Sequence, residues 1–405
     1  MSKVFPFLEK LNNINLSKIP SLNVGNTLSI LKEVLKGRED SVIEVVTNEK
    51  DFSGIGCKVI SALKDENYGV KSLILEEKPV YHALKSTFAS DVSVVIAIGD
   101  YELLSTIRYC ASLCKIDCIA IPTKPYIENL LKDTVTLKTD KLPATIKTLP
   151  FFKVIIDVGL ISKSSNVNFL EAYLSGMSKL VSLIDYKINC FLSSEIVNGE
   201  IFSSIKNAVN VCATAMAYQN YKEAILFSQL QLLSVKASSS VLDGLSVDSV
   251  ETLLTVFAPE LSPCQKKWIA FEKTAKIYHM YFSNDFSTLL SVPDFESDLI
   301  YLEEVTHKDR VYFSKNLKIP SERRRELINL LTEKLSSGLK SETTLILSLF
   351  NSIKTTYKKL DSAFVKKQTA SYKQIKNSVV LAPYLSDKVH VLTLCRDAGI
   401  LKCAN

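Results

Sequence analysis

Hydrophobic positions in the first 160 residues fall into short β-branched runs that alternate with longer amphipathic stretches. The runs predict strands at residues 42–46, 71–75, 92–98, 117–121 and 153–157. The stretches predict helices at residues 54–65, 81–89 and 101–113. This alternation is typical of βα units, and the continuous apolar character of residues 92–98 indicates a mainly parallel sheet that is buried on both faces.

The pattern changes beyond Asp157. From about Asn168 onward, helical patterns of about 12 to 20 residues follow one another, separated by Ser, Asn and Pro. At 405 residues the chain also exceeds the usual size of one hydrophobic core. We therefore predict an α/β Rossmann-like domain of the nucleotide-binding type at residues 1–160, with a mainly parallel sheet, and an all-α domain at residues 161–405.

Composition and charge are those of an ordinary globular protein, with 47% apolar and 23% charged residues. The net charge of +6 arises from 49 basic and 43 acidic residues, without a long block of one sign. The densest basic run, at residues 323–325, lies between Glu322 and Glu326. This arrangement favours a solvated helix face over a phosphate site, so we expect no nucleic-acid partner.

The start of the chain lacks the apolar core of a secretory signal, and no uninterrupted apolar stretch reaches the ~18 residues of a membrane span. Nine cysteines, an odd number, indicate reduced thiols, so we expect a cytoplasmic protein without a membrane span. Cys110, Cys114 and Cys118 are spaced by four. Since a CxxC-type chelate and a fourth ligand are missing, we interpret them as buried apolar residues.

Ligands of open α/β sheets bind outside the carboxyl ends of the strands, so the loops after Val46, Ile98 and Ile121 are predicted to form the site. The candidate cofactor-binding residues in these loops are Thr47, Asn48, Gly99, Asp100 and Thr123. Ordinary turn chemistry at strand ends explains the same residues equally well, and both interpretations stay open.

Several segments, in the same order along the chain, resemble the sn-glycerol-1-phosphate dehydrogenase branch of the iron-containing alcohol dehydrogenase and dehydroquinate synthase-like superfamily. They are residues 95–99 (VIAIG), residues 121–123 (IPT), residues 153–161 with Asp157, and residues 375–401, which include APY at 382–384 and DAGIL at 397–401. Each match is short, but together they extend over nearly the whole chain.

The resemblance implies a dehydroquinate synthase-like fold with a Rossmann-like first domain, a helical second domain and a cleft between them. In that family the cleft holds NAD(P), a divalent metal and a phosphorylated polyol. The implied reaction is hydride transfer between the nicotinamide and dihydroxyacetone phosphate, to or from glycerol 1-phosphate, with the metal as a Lewis acid. The resemblance also implies a homo-oligomer, and it leaves NAD and NADP as alternatives.

The phosphate loop departs from the family pattern. The family has a Gly-Gly-Gly-Ser type turn, because glycine lets backbone N–H groups approach phosphates at a helix N-terminus. Here Gly99 is followed by Asp100, Tyr101 and Glu102, and Ser105 and Arg108 replace the aspartate and lysine found further along that helix. Glycine is scarce overall, at 12 of 405 residues. The residues therefore argue against standard dinucleotide binding.

The metal positions depart as well. The family aspartate falls at Lys179 or Ser175, and the two family histidines fall near residues 246–248 and 263–265. Asp248 and Cys264 are the only metal-ligand candidates left at these positions, and a third ligand is missing. The four histidines are found elsewhere, at His82, His279, His307 and His390.

Three hypotheses for function follow, and the substituted positions favour the first. The chain is a catalytically degenerate relative of the dehydrogenase, kept as a binding or interaction module. Alternatively it is an active NAD(P)-dependent, metal-assisted polyol-phosphate dehydrogenase. In the third hypothesis, the cleft binds an anionic metabolite through Lys124, Lys179 and Arg108 without redox chemistry, with Lys179, which stands in place of a metal ligand, supplying positive charge.

Overall fold

A computed structural model describes residues 3–14, 16, 19–75, 88, 91–137, 142–283, 295–314, 326, 370–386, 388–397 and 400–401. The helix predicted at residues 81–89 lies outside these residues, apart from residue 88. His82 and the arginine run at residues 323–325 lie outside them as well.

A parallel sheet forms the centre of the first half of the described chain. Its six strands are β1 (Leu22–Val24), β2 (Val42–Asn48), β3 (Gly69–Leu75), β4 (Val92–Gly99), β5 (Asp117–Pro122) and β8 (Lys153–Ile156). They lie in the order β1-β8-β5-β4-β2-β3, and every neighbouring pair is parallel. The five predicted strands and the predicted parallel sheet are confirmed. The three-residue β1 was missed because it is too short to show periodicity.

The helices of this region precede, connect and follow these strands. They are α1 (Phe7–Leu11), α2 (Thr27–Leu35), α3 (Glu49–Asp51), α4 (Cys57–Asp65), α5 (Tyr101–Cys114) and α6 (Val158–Ile161). A π-helical segment, Phe52–Gly56, joins α3 to α4. The helix predicted at residues 54–65 therefore begins inside this segment, and the helix predicted at 101–113 is confirmed as α5.

Strand β4 is buried except at Ser93. The side chains of Val94, Ile96 and Ile98 pack in one cluster with apolar residues of α2 and α4, while α5 packs against β4 and β5. Each fully buried aliphatic side chain of this kind contributes about 1.5–3 kcal/mol. Burial of this strand on both faces therefore fixes the position of its carboxyl end, where the candidate site lies.

An antiparallel hairpin, β6 (Thr134–Leu137) and β7 (Ala144–Lys147), was missed by the sequence analysis, because each strand has only four residues. Beside it, the Arg108 side chain of α5 is buried: its Nε donates to the carbonyl of Leu149 at 2.7 Å, and its guanidinium lies over Phe151. Burial lowers the pKa of Arg108. Arg108 therefore holds neighbouring backbone in place.

The contact pattern divides the chain into two compact units. The first contains residues 1–139, 143–172 and 217–238, and the second contains residues 140–142, 173–216 and 239–405. The single boundary near residue 160 that we expect from the sequence stays a prediction.

The described regular elements of the second unit are all helices, as predicted from the periodicity. The remaining helices of the chain are α7 (Asn166–Ser193), which extends through both units, α8 (Gly199–Thr214), α9 (Tyr221–Ser238) in the first unit, α10 (Ser246–Phe257), α11 (Pro263–Ser283), α12 (Phe295–Thr306), α13 (Arg310–Ser314), α14 (Tyr372–Leu381) and α15 (Val391–Asp397). None of the described helices combines the length and apolarity needed to cross a membrane.

Asp185 of α7 is fully buried in the second unit and joins several of its helices. Its Oδ2 accepts the Ser246 hydroxyl at 2.8 Å and the Ser246 N–H at 3.3 Å, at the first residue of α10. Its Oδ1 accepts the Tyr278 hydroxyl of α11 and, at 3.3 Å, the Val391 N–H that begins α15. One carboxylate therefore satisfies the first N–H groups of two helices.

Burial raises the pKa of Asp185 from 3.8 to about 7, although its hydrogen bonds oppose the rise. Between these two values the folded state holds a proton that the unfolded state releases, so this group makes stability fall as pH rises from about 4 to 7. One pKa unit corresponds to about 1.36 kcal/mol, so the free energy of unfolding lost over this whole pH range is on the order of 4 kcal/mol.

We predict that Asp185→Asn, which cannot ionise, loses less stability than the wild type between pH 5 and pH 8. Urea unfolding at the two pH values measures the difference. Asp309→Asn, at an exposed position of the same unit, serves as the control and should keep the wild-type dependence. An Asp185→Asn variant with the full wild-type loss would contradict this assignment.

Candidate functional site

The carboxyl ends of β2, β4 and β5 meet at one edge of the sheet. From β2 the chain passes to β3 on one side and then to β4 on the other, so the strand order reverses between β2 and β4. Such a switch point is where open α/β sheets bind ligands. The five predicted residues, Thr47, Asn48, Gly99, Asp100 and Thr123, all lie at this edge. Whether they bind a cofactor stays a prediction.

Polar side chains at the ends of β2 and β5 are bonded to one another through Asp51. Asn48 Oδ1 accepts the Asp51 N–H at 2.8 Å, and Asn48 Nδ2 donates to Asp51 Oδ2 at 2.8 Å. The Thr123 hydroxyl donates to the same Asp51 oxygen at 3.1 Å. The Thr47 hydroxyl is buried and lies 3.3 Å from the carbonyl of Asn48. The sequence analysis missed Asp51, which lies three residues beyond Asn48.

Gly99 lets α5 start close to β4. A Cβ at this position would lie 3.0 Å from Leu103 Cδ2, a distance too short for a relaxed contact. The Gly99 carbonyl accepts the Thr123 N–H at 2.9 Å, which holds the loops after β4 and β5 together. Close packing of helix against strand therefore accounts for the glycine without a ligand.

Asp100 caps α5 with its own side chain. Its Oδ1 accepts the Leu103 N–H at 3.1 Å, and its Oδ2 lies 2.5 Å from Lys124 Nζ. Burial would lower the pKa of Lys124, but the carboxylates of Asp100, Glu171 and Asp51 raise it above its ordinary value. The positive end of the helix, which attracts phosphates in nucleotide-binding proteins, is therefore occupied by a carboxylate of the chain itself.

Asp157, the aspartate of the resemblance, follows β8 and caps two helices. Its Oδ2 accepts both the N–H and the hydroxyl of Thr27 at 3.0 Å, at the first residue of α2. Its Oδ1 accepts the Leu160 N–H of α6 at 3.1 Å. The carboxylate is thus held by the protein's own backbone donors.

The predicted metal positions of the second unit contain a buried cation. Lys179 of α7 has a side chain only 2% exposed, and its Nζ lies 3.7 Å from Oδ1 of Asp248 in the first turn of α10. Cys264 is buried near the start of α11. A protonated ammonium group cannot ligate a metal, and the described residues contain no cluster of three His, Cys, Asp or Glu that could hold one. These side chains therefore do not fit the family's metal.

The described histidines do not take the place of the family's metal-binding histidines. His279 is half-buried on α11, and His307 is exposed just beyond α12. His390 is fully buried, and burial together with the charge of Arg396 lowers its pKa to about 3. His390 is therefore neutral at physiological pH. His82 lies outside the described residues.

No family model matches the chain. The glycerol-1-phosphate dehydrogenase [NAD(P)+] of Archaeoglobus fulgidus is 25% identical over 189 residues, 46% of this chain and 52% of that protein. The match thus spans about half the length of this curated relative.

Solved dehydrogenase structures are similar over most of the chain. NADH-dependent butanol dehydrogenase A of Thermotoga maritima has a TM-score of 0.62 at 9% identity, covering 94% of this chain and 97% of that structure. A probable glycerol dehydrogenase of Sinorhizobium meliloti has a TM-score of 0.59 at 9% identity, covering 94% and 95%. The glycerol dehydrogenase of Schizosaccharomyces pombe has a TM-score of 0.53 at 10% identity, covering 84% and 91%.

The chain therefore has the fold of the iron-containing alcohol dehydrogenase and dehydroquinate synthase-like superfamily. Both the fold class and the resemblance to this superfamily, predicted from sequence segments, are confirmed. At these identities the solved structures establish the fold alone, so activity, cofactor and substrate remain proposals.

For the Asp100 cap, we predict that Asp100→Ala lowers the free energy of unfolding of the first unit by about 1 kcal/mol, because the Leu103 N–H loses its acceptor. Asp100→Asn keeps that acceptor and removes only the partly exposed ion pair with Lys124, so its loss should be smaller. Urea denaturation of the two variants measures the difference. Equal losses would show that the cap contributes nothing.

Proposed function

We propose that this chain is a dehydrogenase-fold protein that does not perform metal-assisted hydride transfer and serves instead as a binding or interaction module. The observation that carries the proposal is the Asp100 carboxylate at the N-terminus of α5, hydrogen-bonded to Leu103 N–H and paired with Lys124. A dinucleotide's pyrophosphate needs that helix end, since free N–H groups and the helix dipole are what attract it.

The electrostatic repulsion between Asp100 and a phosphate can be given an order of magnitude. At an effective dielectric constant of about 20, a carboxylate about 4 Å from one phosphate charge costs on the order of 4 kcal/mol, which is roughly a thousandfold in affinity. Lys124 offsets part of this cost. However, Glu171 and Asp51 also act on Lys124, so further negative charge surrounds the same edge. Dinucleotide binding would require Asp100 to leave the helix end.

A separate observation argues against the metal-dependent part of the family's reaction. The resemblance places the family's carboxylate ligand at Lys179 or Ser175, and neither side chain is a carboxylate. Lys179 brings a positive charge there, beside Asp248. No reaction step through a metal or a nicotinamide can be derived from this set of donors. The residues present favour binding over hydride transfer.

An active NAD(P)-dependent polyol-phosphate dehydrogenase is the second candidate, and the relative from Archaeoglobus fulgidus favours it. For this chain it would require both Asp100 to rotate away from α5 and ligands other than Lys179 to bind the metal. Binding measurements distinguish it from the first candidate.

A non-redox anion binder is the third candidate, and it rests on Lys124. Of the three cations expected to serve it, Arg108 donates to backbone carbonyls and Lys179 is buried beside Asp248. The Lys124 side chain is 41% exposed. Release of Lys124 from Asp100 would give the edge one accessible positive charge for a phosphate or carboxylate.

The test is a fluorescence titration of purified, metal-free protein with NADH and NADPH, with and without Zn²⁺ or Ni²⁺. We predict no binding by the wild type up to millimolar cofactor. Asp100→Asn removes the negative charge and frees Lys124, and its neutral side chain leaves the helix end at a lower cost, so NADPH should bind with a dissociation constant of about 0.1 mM or below. Glu66→Gln, which removes a carboxylate paired with Lys32 on the surface, should match the wild type.

Micromolar, metal-enhanced binding by the wild type would overturn the proposal in favour of the active dehydrogenase. If neither the wild type nor Asp100→Asn binds, Asp100 is not the group that excludes the cofactor, and the structural basis proposed above is wrong.

A further inference from the structure

An ion pair with a buried lysine connects two helices of the second unit. Lys179 of α7 and Asp248 of α10 place an ammonium nitrogen 3.7 Å from a carboxylate oxygen. The lysine side chain is 2% exposed and that of the aspartate is 36% exposed. A second pair, Lys267 with Glu251, joins α10 and α11 at 2.9 Å. Both lysines are therefore paired with carboxylates of α10.

Charge balance distinguishes this arrangement from a metal site. Lysine and aspartate together are neutral, so the pair is balanced without any bound ion. A carboxylate in place of Lys179 would bring two negative charges to the same two positions, which a bound cation or a proton would have to offset. Because a buried charge without a partner is costly, replacing Lys179 by a carboxylate should create an affinity for a cation that the wild-type pair lacks.

We propose that the Lys179 ammonium takes the place of a divalent metal ion in the helical unit, so that Asp248 is paired and the unit is fully stable without metal. This proposal does not depend on the one for the α5 helix end, because it concerns other residues and other ligands. It does share Lys179 with the metal half of the proposed function, so a metal response of the wild type would overturn both, whereas cofactor binding at α5 would leave this proposal standing.

The test measures the melting temperature of the full chain in EDTA and in Zn²⁺, Ni²⁺ or Co²⁺. The wild type should melt at the same temperature in all of these solutions. Lys179→Asp should melt lower in EDTA, because two carboxylates then face each other. Saturating divalent metal should raise its melting temperature by roughly 5 °C or more, since metal binds only the folded state.

Two controls show whether the metal acts at this pair. Adding Asp248→Asn to Lys179→Asp should abolish the metal response, and Lys179→Met should show none. The proposal is overturned if the wild type is stabilised by metal or destabilised by EDTA. It is equally overturned if Lys179→Asp folds but ignores metal, or if its response survives Asp248→Asn.

If Lys179→Asp does not fold, a double-mutant cycle of Lys179→Met and Asp248→Asn measures instead whether the two charges interact. Coupling between the two charges predicts that the double variant loses less in melting temperature than the sum of the single losses. Additive losses would show that the two charges do not balance each other, and the proposal would fail.

Discussion

A carboxylate of the chain itself at the N-terminus of a helix is the interaction on which most of this structure depends. Asp100 does this for α5, Asp157 for α2 and α6, and Asp185 for α10 and α15. Free N–H groups at a helix start must find acceptors, and an aspartate side chain supplies them even at Asp185, where burial raises the pKa to about 7. Two of these aspartates lie directly after sheet strands, so the same contacts that complete the fold also occupy the edge where ligands of such sheets bind.

The same constraint applies at the positions where the resemblance places the cofactor and the metal. A bound pyrophosphate would contribute anionic oxygens at a helix start, and a metal would contribute positive charge among carboxylates. In this chain, Asp100 supplies the anion at α5, and Lys179 supplies the cation beside Asp248. Asp100 and Lys179 thus each lie beside an opposite charge that the chain itself supplies.

Much of the fold could be predicted because β4 and β5 are continuous apolar runs and α5 has a clear 3.6-residue period. The short β1 and the β6–β7 hairpin have too few residues for periodicity to reveal them. For the site, the positions of Gly99, Asp100 and Thr123 followed from the strand ends, whereas Asp51 and the use of Arg108 depend on tertiary contacts. The roles of Asp185 and of the Lys179–Asp248 pair likewise come from residues far apart in sequence, which only the folded chain brings together.

A crystal structure of the protein crystallised with millimolar NADPH and Zn²⁺ shows directly whether Asp100 or a pyrophosphate occupies the start of α5. We predict that Asp100 Oδ1 still accepts the Leu103 N–H and that Oδ2 still pairs with Lys124. No phosphate should lie at the helix end. A pyrophosphate hydrogen-bonded to the first N–H groups of α5, with the Asp100 side chain rotated away, would contradict it.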